Sequence, residues 1–138
     1  MHNLFSVIRT QDDIPSAIER LRFEGIIESA EQERQIKKLT EWALNHPLVK
    51  EWYSGNWELY NECAIIYKEK GELQTRRPDR VMMKDGKVVV VVDFKFGKKR
   101  TDYNKQVRDY MNLLSDMGYE NIRGYLWYVF DNEFVEVK

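Results

Sequence analysis

A chain of 138 residues, 43% hydrophobic and 13% aromatic, holds enough apolar mass for one domain, spanning 1–138, with a sizeable core. Its 22 basic and 23 acidic residues leave a formal net charge of −1, so a polyanion has to be met by a local basic patch and not by global attraction. The single cysteine, Cys63, excludes an internal disulfide and a multi-thiolate zinc site; no apolar run approaches the roughly 20 residues that span a bilayer, and no GxxxxGK[ST] phosphate loop is present. The start, Met1-His2-Asn3-Leu4-Phe5, lacks the basic and long apolar regions of a secretory signal, so a cytoplasmic protein with no membrane partner is expected.

The first third reads as helical. Ile14, Ala17, Ile18 and Leu21 recur at helical spacing, with Asp12 and Asp13 as caps and Gly25 as a stop. Ile36, Leu39, Trp42 and Ala43 form the stripe of a second helix that ends at Asn45-His46-Pro47. Pro47 opens a short third helix carrying Leu48 and Trp52, before Ser54-Gly55-Asn56 breaks the pattern. His46 has no motif partner and reads as structural.

From Trp57 the period changes to two. Trp57, Leu59, Cys63, Ile65 and Tyr67 fall on one side and Tyr60, Glu62, Ala64 and Ile66 on the other, which predicts one buried strand up to Tyr67. After a turn at Gly71 come the two strands of a hairpin, Arg77-Pro78-Asp79-Arg80-Val81-Met82-Met83-Lys84-Asp85-Gly86 and Lys87 to Lys95. A helix is expected from about Asp102 to Met117, with the stripe Tyr103, Val107, Tyr110, Met111, Leu114 and Met117 and a stop at Gly118. Ile122–Phe130 reads as a further strand, with Phe134, Val135 and Val137 forming a short last one beside it. Helices, three antiparallel strands, a helix and another strand indicate an α/β chain, a mixed β-sheet flanked by helices on both faces.

Five consecutive valines, Val88–Val92, suit a strand covered on both faces. Such a strand should not carry Asp93 and Lys95 unless they work, because burying charge is costly. The two share a face. Whether Asp79 joins them depends on register. A two-residue Asp85-Gly86 turn pairs Lys84 with Lys87 and puts Asp79 on the wrong face, opposite Val92. A three-residue loop, Lys84-Asp85-Gly86, pairs Met83 with Lys87 and sets Asp79 opposite Val91, diagonal to Asp93. A bulge at Pro78 would rescue the other register. An irregularity is therefore expected at the turn or at Pro78.

Two converging carboxylates beside a lysine suit a hard divalent cation, Mg²⁺ or Mn²⁺, and hydrolysis of a phosphodiester, with Lys95 serving the attacking water. The competing structural reading pairs Asp79 with Arg77 or Arg80 and makes Asp93 and Lys95 a salt bridge at the mouth of a sheet.

Arg77-Pro78-Asp79-Arg80, then Val-Val-Asp93-Phe-Lys95-Phe-Gly97, then Gln106-x-x-x-Tyr110 on the next helix resemble the motif series of the PD-(D/E)xK nuclease superfamily. The nearest branch is the RecB-like nuclease domain at the C-terminus of UvrD/Rep-type and AddA-type helicases. The resemblance implies a restriction-endonuclease-like fold and a chain that is a C-terminal fragment of a larger helicase-nuclease. It also implies a Mg²⁺-dependent deoxyribonuclease, exonuclease by preference, working in DNA repair or recombination with a superfamily 1 helicase motor and DNA as partners. Asp79, Asp93 and Lys95 are then catalytic. The metal ligands are Asp79, Asp93, His2, Glu62 and the Phe94 backbone carbonyl, while Gln106 and Tyr110 contact DNA. Lys98, Lys99 and Arg100, next to the acids, extend that contact to the phosphate backbone. Two departures stand out: Arg76 replaces a usual glycine, and Phe94 a common tyrosine. Neither removes a ligand. The alternative, from another functional class, is a non-catalytic module of the same fold that holds DNA or a partner protein.

Overall fold

The computed structural model describes residues 4–5, 8–60 and 65–138. They form two compact units, Met1–Trp57 and Glu58–Lys138. No helix among the described residues is long and apolar enough to cross a membrane.

The first unit is helical, as its 3.6-residue periodicity predicts. A 3₁₀ turn, Gln11–Asp13, leads into α1, Ile14–Phe23, with Pro15 in its first turn. The Asp13 carboxylate accepts from the Arg9 and Thr10 N–H groups. Helix α2, Ala30–Leu44, starts at Ser29, whose hydroxyl accepts from the Gln32 N–H. Its buried side follows the expected stripe only in part: Ala43 is buried and Ile36 and Leu39 are half-buried, but Trp42 is 43% exposed and Thr40 is buried instead. Thr40 is tolerated inside because its hydroxyl donates to the Ile36 carbonyl at 2.7 Å. Helix α3, Pro47–Trp52, is capped by His46, whose Nδ1 accepts from the Leu48 N–H at 3.1 Å. This bears out the structural reading of His46; burial lowers its pKa, which favours the neutral ring that the cap requires.

The second unit is built on a mixed sheet. Strands β1 (Glu58–Tyr60), β4 (Arg80–Lys84), β5 (Val88–Lys95), β6 (Asn121–Tyr128) and β7 (Glu133–Val137) lie in the order β1-β4-β5-β6-β7. Only β5 and β6 are parallel, and helix α4, Thr101–Asp116, makes the crossover between them. The remaining strands, β2 (Ile65–Glu69) and β3 (Glu72–Arg76), form a separate two-stranded ribbon. The α/β class is as expected. The single strand expected up to Tyr67 is not: Glu58–Tyr60 pairs with β4, whereas Ile65–Glu69 pairs with β3. Residue Glu62 of that expected strand lies outside the described residues. Strand β3 has no counterpart in the periodicity, because Glu-Leu-Gln-Thr-Arg offers one apolar residue, Leu73, and that is 70% exposed.

The valine run behaves as a buried strand should, with Val89 to Phe94 all buried. Val89 and Val91 pack with Val81 and Leu114, joined by Tyr110 and Leu113 from α4. On the other face Phe94 meets Trp127 edge-on, with ring centroids 5.5 Å apart, and Trp127 stacks on Phe134. Gly124, opposite Val91, lets α4 approach the sheet: a Cβ there would lie 2.4 Å from Met111 Sδ and 2.6 Å from Val107 Cγ1. Gly124→Ala is therefore expected to destabilise by about 1–3 kcal/mol through overpacking. An unchanged urea midpoint would show that the helix is not seated that closely.

Candidate active site

The hairpin turn decides where the acids go. Asp85 and Gly86 both adopt left-handed backbone, with φ of 56° and 66°, and the Lys87 N–H donates to the Lys84 carbonyl at 3.0 Å. The ladder resumes with Lys84 opposite Val88, so Asp85, Gly86 and Lys87 lie between the paired residues. The irregularity is at the turn, as expected, but in a different register. Lys84 neither pairs with Lys87 nor belongs to the loop; a tight Asp-Gly turn is closed and Lys87 is then absorbed as the extra residue. Because Arg80 faces Val92, Asp79 comes beside Asp93 itself and not diagonal to it. No bulge at Pro78 is needed, since that residue precedes the paired part of β4.

Reciprocal bonds lock the pair. The Asp79 N–H donates to Asp93 Oδ1 at 3.2 Å, and the Phe94 N–H donates to Asp79 Oδ2 at 2.8 Å. Asp93 is only 4% exposed. Burial, and next the charge of Asp79, push its carboxyl from the usual 3.8 up to about 6, against the lowering effects of the Asp79 N–H and of Lys95. Two carboxyls thus converge where their negative charges oppose one another, and Lys95 offsets only part of that repulsion.

Phe94 contributes its backbone. The Val129 N–H donates to the Lys95 carbonyl at 3.0 Å, so residue 95 bonds toward β6. Strand alternation turns residue 94 the opposite way, and its N–H does reach Asp79. A strand residue's N–H and C=O point to the same side, which would set the Phe94 carbonyl there as well. Two carboxylates and a carbonyl are hard oxygen donors, and this set fits Mg²⁺ or Mn²⁺, which leave further positions to water and phosphate. His2 and Glu62, the other expected ligands, lie outside the described residues. Among the described residues no group of three or more His, Cys, Asp or Glu side chains could hold a metal ion.

Lys95 leaves β5 on the same face as Asp93 and is held by α4. Its Nζ donates to Gln106 Oε1 at 3.2 Å and stands 4.3 Å from the centre of the Tyr103 ring. Gln106, expected at DNA, thus touches the lysine directly. Tyr110 packs against the valine and Leu114 cluster, one turn deeper than Gln106. Tyr103 was expected only as part of the apolar stripe. The available signal was its spacing, three residues before Gln106 and so on the same helix face.

Lys98, Lys99 and Arg100 form the exposed link between β5 and α4. Lys99 pairs with Glu133 at 2.5 Å, and this bond raises its pKa; Arg100 pairs with Asp102 at 3.1 Å. Exposed pairs of this kind are weak and open readily to a stronger anion. The expected phosphate-contact residues are therefore exposed in the link that follows Lys95, two of them with carboxylate partners. No protein-family model matches the chain, and a comparison with curated proteins finds no significant match.

Proposed function

We propose that this chain is a Mg²⁺- or Mn²⁺-dependent deoxyribonuclease domain of the PD-(D/E)xK superfamily, RecB-like, acting in DNA repair or recombination beside a superfamily 1 helicase motor. The observation that carries this reading is the mutual clamp of Asp79 and Asp93 at the end of a buried strand, with Lys95 on the same face. A purely structural acid pair has little reason to accept such burial and repulsion.

When bound, the metal ion supplies positive charge against the phosphate oxygens and makes water a better nucleophile. The chain's own residues do the rest. Asp79 and Asp93 present ionised oxygens whose directions are fixed by the Phe94 and Asp79 N–H groups. Lys95, as an ammonium, orients the attacking water and opposes the charge that grows on the phosphate. Water forms the new P–O bond and gives up one proton to solvent, the bond to the leaving sugar oxygen breaks, and that oxygen takes up a proton from solvent. Lys98, Lys99 and Arg100 track the backbone, so affinity falls as salt rises.

The test is degradation of linear single- and double-stranded DNA with Mg²⁺ or Mn²⁺ against a chelated control. Metal-dependent cleavage is expected from the parent chain and none from Asp93→Ala or Lys95→Ala. Activity that survives both substitutions would sink the reading. A non-catalytic module would instead show no cleavage and no stoichiometric Mn²⁺ site lost on Asp93→Ala in calorimetric titration.

A further inference from the structure

We infer that Tyr103 is a positioning residue, which holds the Lys95 ammonium against its ring face and so fixes where that charge points. The inference rests on the reading that Lys95 serves phosphodiester hydrolysis. A lysine side chain has several rotatable bonds and loses considerable entropy when held in one place. One hydrogen bond, to the exposed Gln106, leaves its head free to swing about that contact. The ring of Tyr103 supplies a second, non-collinear constraint at 4.3 Å, well inside cation–π range.

The ring is also positioned for the task. Tyr103 packs against Val107, Leu126, Tyr128 and Val137, a cluster shared by α4, β6 and β7. Its ring is therefore anchored by the core while its face meets Lys95. The Arg100 guanidinium lies 5.5 Å from the same ring, so Tyr103, in the first turn of α4, has two cations near its ring. An aliphatic side chain would keep most of the apolar packing but offer no negative face to Lys95. That difference separates positioning from packing.

Tyr103→Phe retains the π face and the packing, whereas Tyr103→Leu retains only apolar packing. Two readouts are compared. In a lysine-¹³C-labelled sample, assigned with Lys95→Arg, the Lys95 ε-methylene signals are expected upfield of the other lysines in the parent protein and in Tyr103→Phe. They return to ordinary positions in Tyr103→Leu. In the nuclease assay, Tyr103→Leu is expected to lower kcat about tenfold, roughly 1.4 kcal/mol in the barrier, with KM within about twofold of the parent and Tyr103→Phe near the parent. Lys95 signals that are the same in the parent and Tyr103→Leu overturn the proposal whatever the activity. So does a Tyr103→Leu protein that loses the upfield shift yet cleaves at the parent rate. If the parent protein itself cleaves no DNA, the nuclease reading fails, and the NMR comparison alone then decides whether Tyr103 orders Lys95.

Discussion

Replacing Asp93 with asparagine is expected to cut metal-dependent DNA cleavage severely and, at the same time, to make the metal-free protein more stable at pH 8. The two effects have one cause. An ionised Asp93 is buried, 4% exposed, and faces the charge of Asp79, which is why its carboxyl titrates at about 6 and not near 3.8. At pH 8 the folded protein must still ionise it, against an opposing free energy of about 3 kcal/mol relative to the unfolded chain. Asparagine has the same shape. Its Oδ1 can still accept from the Asp79 N–H, and its amide can donate to the Asp79 carboxylate in place of a repulsive contact. A gain of about 1–3 kcal/mol is expected at pH 8 in EDTA, read as a higher urea midpoint with an unchanged slope. Cleavage should fall by about 10³-fold, the scale on which loss of one preorganised electrostatic contact is felt. Such a trade of stability for activity is typical of functional residues. A variant less stable than the parent under these conditions would mean that the Asp79–Asp93 contact is an ordinary stabilising pair.

Much of this site was legible in the sequence, and each part that was not has its own physical reason. Val88–Val92 announces a doubly covered strand because apolar residues at every position have no other economical use in a short segment. The acid and lysine after it stand out against that background. Helix α4 is equally plain from Tyr103, Val107, Tyr110, Met111 and Leu114. The register of β4 against β5 was not legible, since Asp85-Gly86 suits a tight turn whether or not Lys87 is taken into the loop. That choice is made by the whole ladder and not by the turn alone. The ribbon of β2 and β3 escaped because its second strand has no apolar face, and apolar alternation is the signal from which strands are read. Tyr103 escaped for the opposite reason: it does contribute to the core, and an aromatic in a helical stripe gives no sign that its ring face is also used.

The acid pair also predicts how stability responds to pH. Between about pH 4 and pH 6 the folded, metal-free protein keeps a proton on Asp93 that the unfolded chain has already released. The folded state thus binds more protons, and the Asp93 contribution to stability declines as pH rises through that window, by about 3 kcal/mol in all. It is fully present below the ordinary carboxylate pKa and lost above the folded one. Other carboxylates titrate in the same range, so the informative quantity is the difference between parent and Asp93→Asn in EDTA, which should widen in favour of the variant as pH goes from 4 to 7. A difference that stays constant would mean that Asp93 ionises as it does in the unfolded chain. Metal binding at the proposed site is expected to reverse the pattern, because a divalent cation there would need both carboxylates ionised and would compete with the proton on Asp93. At one hundred times its dissociation constant, Mn²⁺ at pH 8 should stabilise the parent by about 2.7 kcal/mol. The same concentration should do much less at pH 5, and little at either pH for Asp93→Asn. Equal stabilisation of both proteins would place the ion away from Asp79 and Asp93, and with it the chemistry.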